Sequence, residues 1–266
     1  MLYIVLTIII LMLLFLFLIF PSTRRHKDRM ILENLYIAHR GLHCLERGIP
    51  ENSLKAFEEA INEGYAIELD IHLTKDGQVV VFHDDDGKRM CGDNRKICEM
   101  TLSEIKELRL ADTNFTIPTL KECLDLIDGK VPLMIEIKYD GNSSLLCSKT
   151  NEILLQYTGK YFIQSFYPQN LYWYRRHRKD ICRGQLSCAF KGDTFIKRLS
   201  GCLLFNFISR PDFVSYDYRD KNHICRRLAT ILGAFPVGWT FTKNTALQIN
   251  KKFFKTYIFE NFKPKK

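Results

Sequence analysis

Residues 66–84, Ala-Ile-Glu-Leu-Asp-Ile-His-Leu-Thr-Lys-Asp-Gly-Gln-Val-Val-Val-Phe-His-Asp, decide how the rest of the chain is read. Asp76-Gly77 between two apolar-rich runs is a strong short-range hairpin signal. With those two residues as the turn, Lys75 pairs with Gln78, Ile71 with Phe82 and Asp70 with His83. Glu68 and Asp70 are two apart on a strand and share a face, while Ile67, Leu69 and Ile71 make the other face apolar. One hairpin thus returns a histidine to a pair of carboxylates, an arrangement that reads as a site rather than a solvated surface.

Working outward, strand-like runs fall at 35–38, 66–71, 133–137, 161–165, 182–186, 213–216, 237–240 and 257–259, with 79–82 as the return arm of the hairpin. Helix starts lie between them. Glu51-Asn52-Ser53 precedes Leu54, Phe57 and Ile61 at helical spacing, and Gly64 follows as a stop. Thr101 with Glu104, and Thr119 with Glu122, are capping boxes. Eight strands alternating with helices predict an α/β chain, a TIM (β/α)8 barrel over 35–262. An open doubly wound sheet is the alternative, but no glycine-rich phosphate loop follows the first strand.

Residues 2–20 are almost wholly apolar, long enough for an N-terminal transmembrane helix over 1–20. No lysine or arginine precedes the run and no small-residue cleavage pattern follows it, so a secretory signal is disfavoured. Arg24, Arg25, Lys27 and Arg29 come directly after Pro21, in a basic linker over 21–34. The positive-inside rule then predicts a single-pass protein of the cell membrane whose remaining chain faces the cytoplasm. Nine scattered cysteines without a CxxC pair fit reduced core thiols better than a disulfide framework. The net charge of +9 is spread along the chain, ending in a basic tail at 263–266, and suits an anionic membrane surface without calling for nucleic acid. The apolar stretch 197–210, flanked by Lys197, Arg198 and Arg210, reads equally as a membrane-contacting segment and as a barrel helix packed inward.

In such a barrel, chemistry belongs at the carboxyl ends of strands. His39 ends the first strand, Glu68 and Asp70 the second, and Glu136 and Lys138 the third. Glu68, Asp70 and Glu136 form an all-oxygen set suited to Mg²⁺ or Ca²⁺. His39 and His83 beside such a cation, with Arg40 and Lys138 to hold phosphoryl oxygens, are the equipment for phosphodiester cleavage with one imidazole as base and the other as acid. Taken singly, each has an ordinary reading: an ion pair for Arg40 or Lys138, a core residue for Trp239. His43 and His72 are expected in supporting or solvated positions, and Asp84 as the residue that orients a neighbouring ring or caps the turn.

His39-Arg40-Gly41, Pro50-Glu51-Asn52-Ser53, Glu68-Leu69-Asp70, Leu73-Thr74-Lys75-Asp76-Gly77, Val81-Phe82-His83-Asp84, Glu136-Ile137-Lys138 and Trp239-Thr240 occur in that order. Together they resemble the successive motifs of the glycerophosphodiester phosphodiesterases. The resemblance implies a TIM barrel with a divalent metal held at Glu68, Asp70 and Glu136 and an acid–base pair at His39 and His83. It also implies that the substrate's glycerol 2-hydroxyl attacks phosphorus, and that the resulting cyclic glycerol phosphate is opened by water to sn-glycerol 3-phosphate. Glu51 is then expected at the metal or the glycerol, and Trp239 in the pocket lining. The chain departs from the family pattern at Phe241-Thr242, where the family often has Asn or Asp after the Trp-Thr pair, and at Glu260, where its last strand usually ends in an aspartate. Two alternatives stand beside hydrolysis of small glycerophosphodiesters: a lysophospholipase D acting on lysolipids of the inner leaflet, and a catalytically silent phosphodiester-binding barrel.

Overall fold

The computed structural model describes residues 1–24, 26–139 and 141–265; Arg25 of the expected linker and Lys266 of the expected tail lie outside them. The strands are β1 (Tyr36–Ala38), β2 (Ala66–Leu73), β3 (Val79–Val81), β4 (Leu133–Ile137), β5 (Tyr161–Ser165), β6 (Arg183–Ser187), β7 (Phe213–Asp217), β8 (Phe235–Phe241) and β9 (Thr256–Phe259). Among the described residues, eight of these run parallel, and β1 pairs with both β2 and β9, closing a barrel. β3 is the exception, an antiparallel arm on β2. The eight-stranded TIM barrel expected from the alternation is the observed architecture.

An apolar helix α1 (Leu2–Ile19) precedes the barrel, and α2 (Leu54–Asn62) follows β1. The short α3 (Lys88–Cys91) and α4 (Leu102–Glu107) belong to the insertion after β3, and α5 (Leu120–Ile127) leads into β4. Around the remaining strands lie α6 (Ser143–Leu154), α7 (Pro168–His177), α8 (Phe195–Gly201), α9 (Asn206–Ser209), α10 (Ile224–Ile231) and α11 (Asn244–Asn250). The local chemistry explains the starts. Ser53 Oγ accepts from Ala56 N at 3.1 Å to cap α2, and both capping boxes are formed at α4 and α5.

The pleat sorts the side chains of β2 and β4. Ile67, Leu69 and Ile71, with Leu133, Ile135 and Ile137, join the apolar layer between strands and helices. Ala66 and Met134 join a second cluster with Ile37, Phe162, Phe213 and Val237. Glu68, Asp70 and Glu136 share the parity of Ala66 and Met134, so they point the same way, toward the upper end of the barrel interior.

The hairpin register differs from the expected one by a single residue. Ile71 faces Val81 and Leu73 faces Val79, and Thr74 N donates to Gln78 O at 2.9 Å. The loop is therefore the three residues 75–77, not the two-residue Asp76-Gly77 turn. Gly77 takes φ 78°, and Thr74 Oγ1 donates to Asp76 Oδ1 at 2.6 Å while accepting from Gln78 N. A three-residue loop with a left-handed glycine is the next most common hairpin connection. In consequence Phe82, not His83, lies across from Asp70, and its N–H donates to Asp70 O at 3.0 Å. His83 reaches the site from just beyond the strand end.

The segment read as a linker is packed onto the barrel. Leu32 is fully buried in the interior cluster, Asn34 N donates to Lys255 O at 2.7 Å, and Thr256 Oγ1 donates to Leu32 O. The foot of α1 is also held. Ile19 is buried, Asn206 Nδ2 donates to Ile19 O at 3.0 Å, and Arg210 Nη1 donates to Phe17 O and Phe20 O. Stretch 197–210 thus does two things: Leu203 packs inward, and α9 seats α1.

Candidate active site

The site begins at the tight turn after β1. His39 N donates to Phe259 O at 2.9 Å, and Arg40 follows with φ 55°. Gly41 has φ 80°, and a β-carbon there would come within 2.8 Å of Ala56 Cβ, so α2 can lie this close only over glycine. This turn aims Arg40 across the barrel mouth. Its backbone N–H donates to Glu68 Oε2 at 3.0 Å, Nη1 donates to Glu51 Oε1 at 2.7 Å, and Nε stands 3.6 Å from Asp70 Oδ2.

Glu68, Asp70 and Glu136 meet at the next level, with one oxygen from each within 4.8 Å of the others. Adjacent pairing of Asp70 with Glu136 on β2 and β4 produces the approach. All three are essentially buried. Lys138 Nζ sits between two of them, 2.6 Å from Glu136 Oε1 and 2.8 Å from Asp70 Oδ1. Burial, then repulsion from Asp70 and Glu136, pushes the Glu68 carboxyl well above its ordinary pKa. Burial likewise raises Glu136. For Asp70 burial is outweighed by Lys138 first, then His83 and Arg40, and its pKa falls below the ordinary range. The Glu68 Oε1 atom is buried with no hydrogen-bond partner among the described residues. Three clustered carboxylates, one with an orphaned oxygen and two held protonated-prone by burial, fit a hard divalent cation such as Mg²⁺ or Ca²⁺.

Each histidine is held by its own carboxylate. His39 Nδ1 donates to Glu260 Oε2 at 2.7 Å, and His83 Nδ1 donates to Asp84 Oδ1 at 2.6 Å. A carboxylate only accepts, so both rings carry a proton on Nδ1, and Nε2 is the atom left to take or give a proton. Neither Nε2 has a hydrogen-bond partner among the described residues. Burial lowers the His83 pKa to about 4, with Lys138 and Arg40 adding to the effect against Asp70 and Asp84, so this ring is neutral at neutral pH. Arg89 ties the rim together: Nε donates to Asp84 Oδ2 at 2.6 Å and Nη2 to Glu51 Oε1 at 2.6 Å.

The other expected residues are placed as follows. Glu51 is not among the three clustered carboxylates; it is engaged by Arg40 and Arg89, which hold it down to about 2 against burial. Trp239 meets Phe166 edge-to-face at 5.7 Å, and its buried Nε1 has no partner among the described residues. His43 Nε2 lies 4.0 Å from Glu260 Oε2, and His72 Nε2 lies 3.3 Å from His83 O. Three contributors carried little sequence signal. Asn52 Nδ2 donates to Asp70 Oδ2 at 2.9 Å, Arg89 comes from the insertion, and Glu260 comes from the far end of the chain. The Pro-Glu-Asn-Ser motif contains Asn52, and Glu260 stood out as a departure from the family pattern; nothing in the sequence pointed to Arg89.

A cavity of about 1100 Å³ opens beside the carboxylates and is lined at its inner end by His83, Glu136 and Lys138. Phe166, Phe190, Ile196, Phe205 and Ile208 give its lining an apolar part, beside the charged Asp85, Asp86, Lys88 and Lys197.

The Glycerophosphoryl diester phosphodiesterase family profile matches residues 39–184. The chain is 41% identical over 116 residues to a glycerophosphodiester phosphodiesterase of Caldanaerobacter subterraneus, covering 40% of this chain and 46% of that protein. It is 31% identical over 156 residues to a lysophospholipase D of Rattus norvegicus, covering 54% and 48%. The chain spans about half the length of the curated relatives it matches. Among solved structures, an Oleispira antarctica phosphodiesterase in complex with the product sn-glycerol-3-phosphate superposes with a TM-score of 0.71. That match covers 87% of this chain and 94% of the other at 22% identity, a likeness of fold. With more than half of the sequence matched, and the matched span carrying the turn after β1, the hairpin and the Glu136–Lys138 pair, the chain belongs to the glycerophosphoryl diester phosphodiesterase family.

Proposed function

We propose that the protein hydrolyses glycerophosphodiesters to sn-glycerol 3-phosphate and an alcohol, with Glu68, Asp70 and Glu136 holding Mg²⁺ or Ca²⁺. The observation that carries this reading is the pairing of two free imidazole nitrogens with a three-carboxylate cluster at one barrel mouth. When bound, the metal supplies positive charge to the phosphoryl oxygens. Arg40 and Lys138 supply more, and their buried ion pairs keep both cations charged and fixed. One imidazole Nε2 removes the proton of the glycerol 2-hydroxyl as its oxygen bonds to phosphorus, and the other ring, protonated, gives a proton to the departing alcohol oxygen. Water then opens the cyclic phosphate with the two roles exchanged, leaving sn-glycerol 3-phosphate and both rings as they began. Trp239 and Glu51 serve binding: the unpartnered indole N–H offers a donor, and Glu51 fixes Arg40.

A second substrate reading rests on the cavity. The apolar part of its lining, Phe166, Phe190, Ile196, Phe205 and Ile208, would accommodate the hydrocarbon chain of a lysolipid whose phosphodiester sits at the carboxylates. α9 favours this reading, since Phe205 and Ile208 line the cavity while Phe207 packs on Phe17 of α1. The slot and the apolar helix therefore share one wall. In this reading α1 is a single membrane span with the barrel on the cytoplasmic side, and the substrate arrives from the bilayer.

Turnover of glycerophosphocholine, glycerophosphoglycerol and a lysophospholipid by the full chain in detergent, with Mg²⁺, Ca²⁺ or chelator, tests both readings. Metal-dependent release of glycerol 3-phosphate from the first two substrates, or of an acyl-glycerol 3-phosphate from the lysophospholipid, supports hydrolysis, and the preferred substrate selects between the two classes. Metal binding without any turnover would favour the silent barrel.

A further inference from the structure

A second cavity, of about 650 Å³, lies at the foot of α1 and is lined by Arg24, Arg175, Lys179, Arg183 and Arg210. Clustered cations usually come with acids, and here they largely do not. Of the acids nearby, Asp180 is taken by Arg178 at 2.8 Å, and Asp212 stands 3.8 Å from the buried Arg183. Among the described residues, Arg24, Arg175, Lys179 and Arg210 have no carboxylate partner.

Backbone oxygens hold three of these side chains in place instead. Arg175 Nη1 donates to Phe207 O at 3.0 Å and Ile208 O at 2.9 Å, while Arg210 Nη1 donates to Phe17 O at 2.9 Å and Phe20 O at 2.8 Å. Arg24 Nη1 donates to Lys179 O at 3.2 Å. Carbonyls orient a guanidinium without cancelling its charge. Burial lowers the pKa of Arg210 and of Arg183, and Arg175 adds repulsion to both, so these cations destabilise one another as they stand.

The position of the cavity indicates what would relieve that repulsion. The 18 residues of α1 measure roughly 27 Å, close to a bilayer's hydrocarbon thickness. With α1 spanning, residues 20–24 fall at head-group depth. Phe17 and Phe20 line the same cavity, giving it one apolar side next to a basic one.

We propose that this cavity binds the phosphate group of an anionic phospholipid seated beside α1, with its acyl chains along the helix. Arginine forks match phosphate oxygens bidentately, and basic pockets beside membrane spans suit phosphate head groups. The site is separate from the catalytic mouth and stands whichever substrate the enzyme takes.

The experiment reconstitutes the full chain in nanodiscs of phosphatidylcholine, with or without phosphatidylglycerol, and counts retained lipids by native mass spectrometry. Selective retention of phosphatidylglycerol is expected, weakened on the order of tenfold or more in Arg24→Gln/Lys179→Gln, whose residues are both exposed. Arg175→Gln, with its fold verified by circular dichroism, should lose retention likewise. Equal retention by parent and folded variants, or no preference for phosphatidylglycerol, overturns the proposal. Inorganic phosphate titrated into lipid-free chain separates the sources. Weak binding is expected; phosphate bound as tightly as lipid and lost in the variants would assign the cavity to free phosphate and overturn the lipid assignment.

Discussion

Glu260, from the last turn of the barrel, accepts a hydrogen bond from His39 Nδ1 at 2.7 Å, across 221 residues of sequence. His39 in turn holds the Glu260 pKa below its ordinary value. In the proposed mechanism the carboxylate fixes one tautomer and would stabilise the imidazolium formed when Nε2 takes a proton. Glu260→Gln should therefore lower kcat by about 10–100-fold with little change in KM, and Asp should restore part of the loss. His39→Ala and His83→Ala should each cost about 10²–10⁴-fold in kcat while metal binding persists. Steady-state kinetics alongside metal titration checks all of these.

The metal assignment makes a separate prediction. Glu68→Gln removes the carboxylate with the orphaned oxygen and should weaken Mg²⁺ or Ca²⁺ binding by at least about tenfold in calorimetry, with activity falling in parallel. The barrel should stay folded, because relieving like-charge crowding at a buried site does not cost stability. Unchanged metal affinity in Glu136→Gln would remove Glu136 from the ligand set.

Glu51 predicts a pH dependence of stability. Its folded pKa of about 2 lies below the ordinary 4.5, so its paired form adds stability above pH 4.5 that is lost as pH falls toward 2. The contribution is on the order of 3 kcal/mol as an upper bound. Denaturant unfolding across that window should show a shallower slope with pH in Glu51→Gln than in the parent.

If a lysolipid chain occupies the outer cavity, a charge placed in its lining should discriminate between substrates. Ile196→Asp changes an exposed lining residue. It should raise KM for a lysophospholipid by about 10-fold or more and leave glycerophosphocholine kinetics unchanged. Equal effects on both substrates would separate the cavity from chain binding.

Most of the barrel was legible because its signals are local. β4 and β5 have the limits that apolar runs and flanking polar residues suggest, and both capping boxes form. The hairpin register was not, because Asp-Gly serves a two-residue turn and also a three-residue loop, and the Thr74 hydroxyl decides between them. The packing of 21–34 escaped for a different reason: Leu32 joins the interior cluster with only Ile31 of the same segment beside it, too few residues to leave a periodicity. At the site, the residues close in sequence to a motif were identifiable. Arg89 was not, and Glu260 stood out only as a departure from the family pattern, since their partners Glu51 and His39 lie far away along the chain and only the closed barrel brings them together.

The most direct test of the account is release of sn-glycerol 3-phosphate from glycerophosphocholine by the full chain, titrated with Mg²⁺ and Ca²⁺ and repeated for His39→Ala and His83→Ala. Turnover should require the cation, stop in chelator and collapse in both variants while they still bind metal. Turnover that persists in chelator, or that either histidine variant retains at the parent rate, would contradict it.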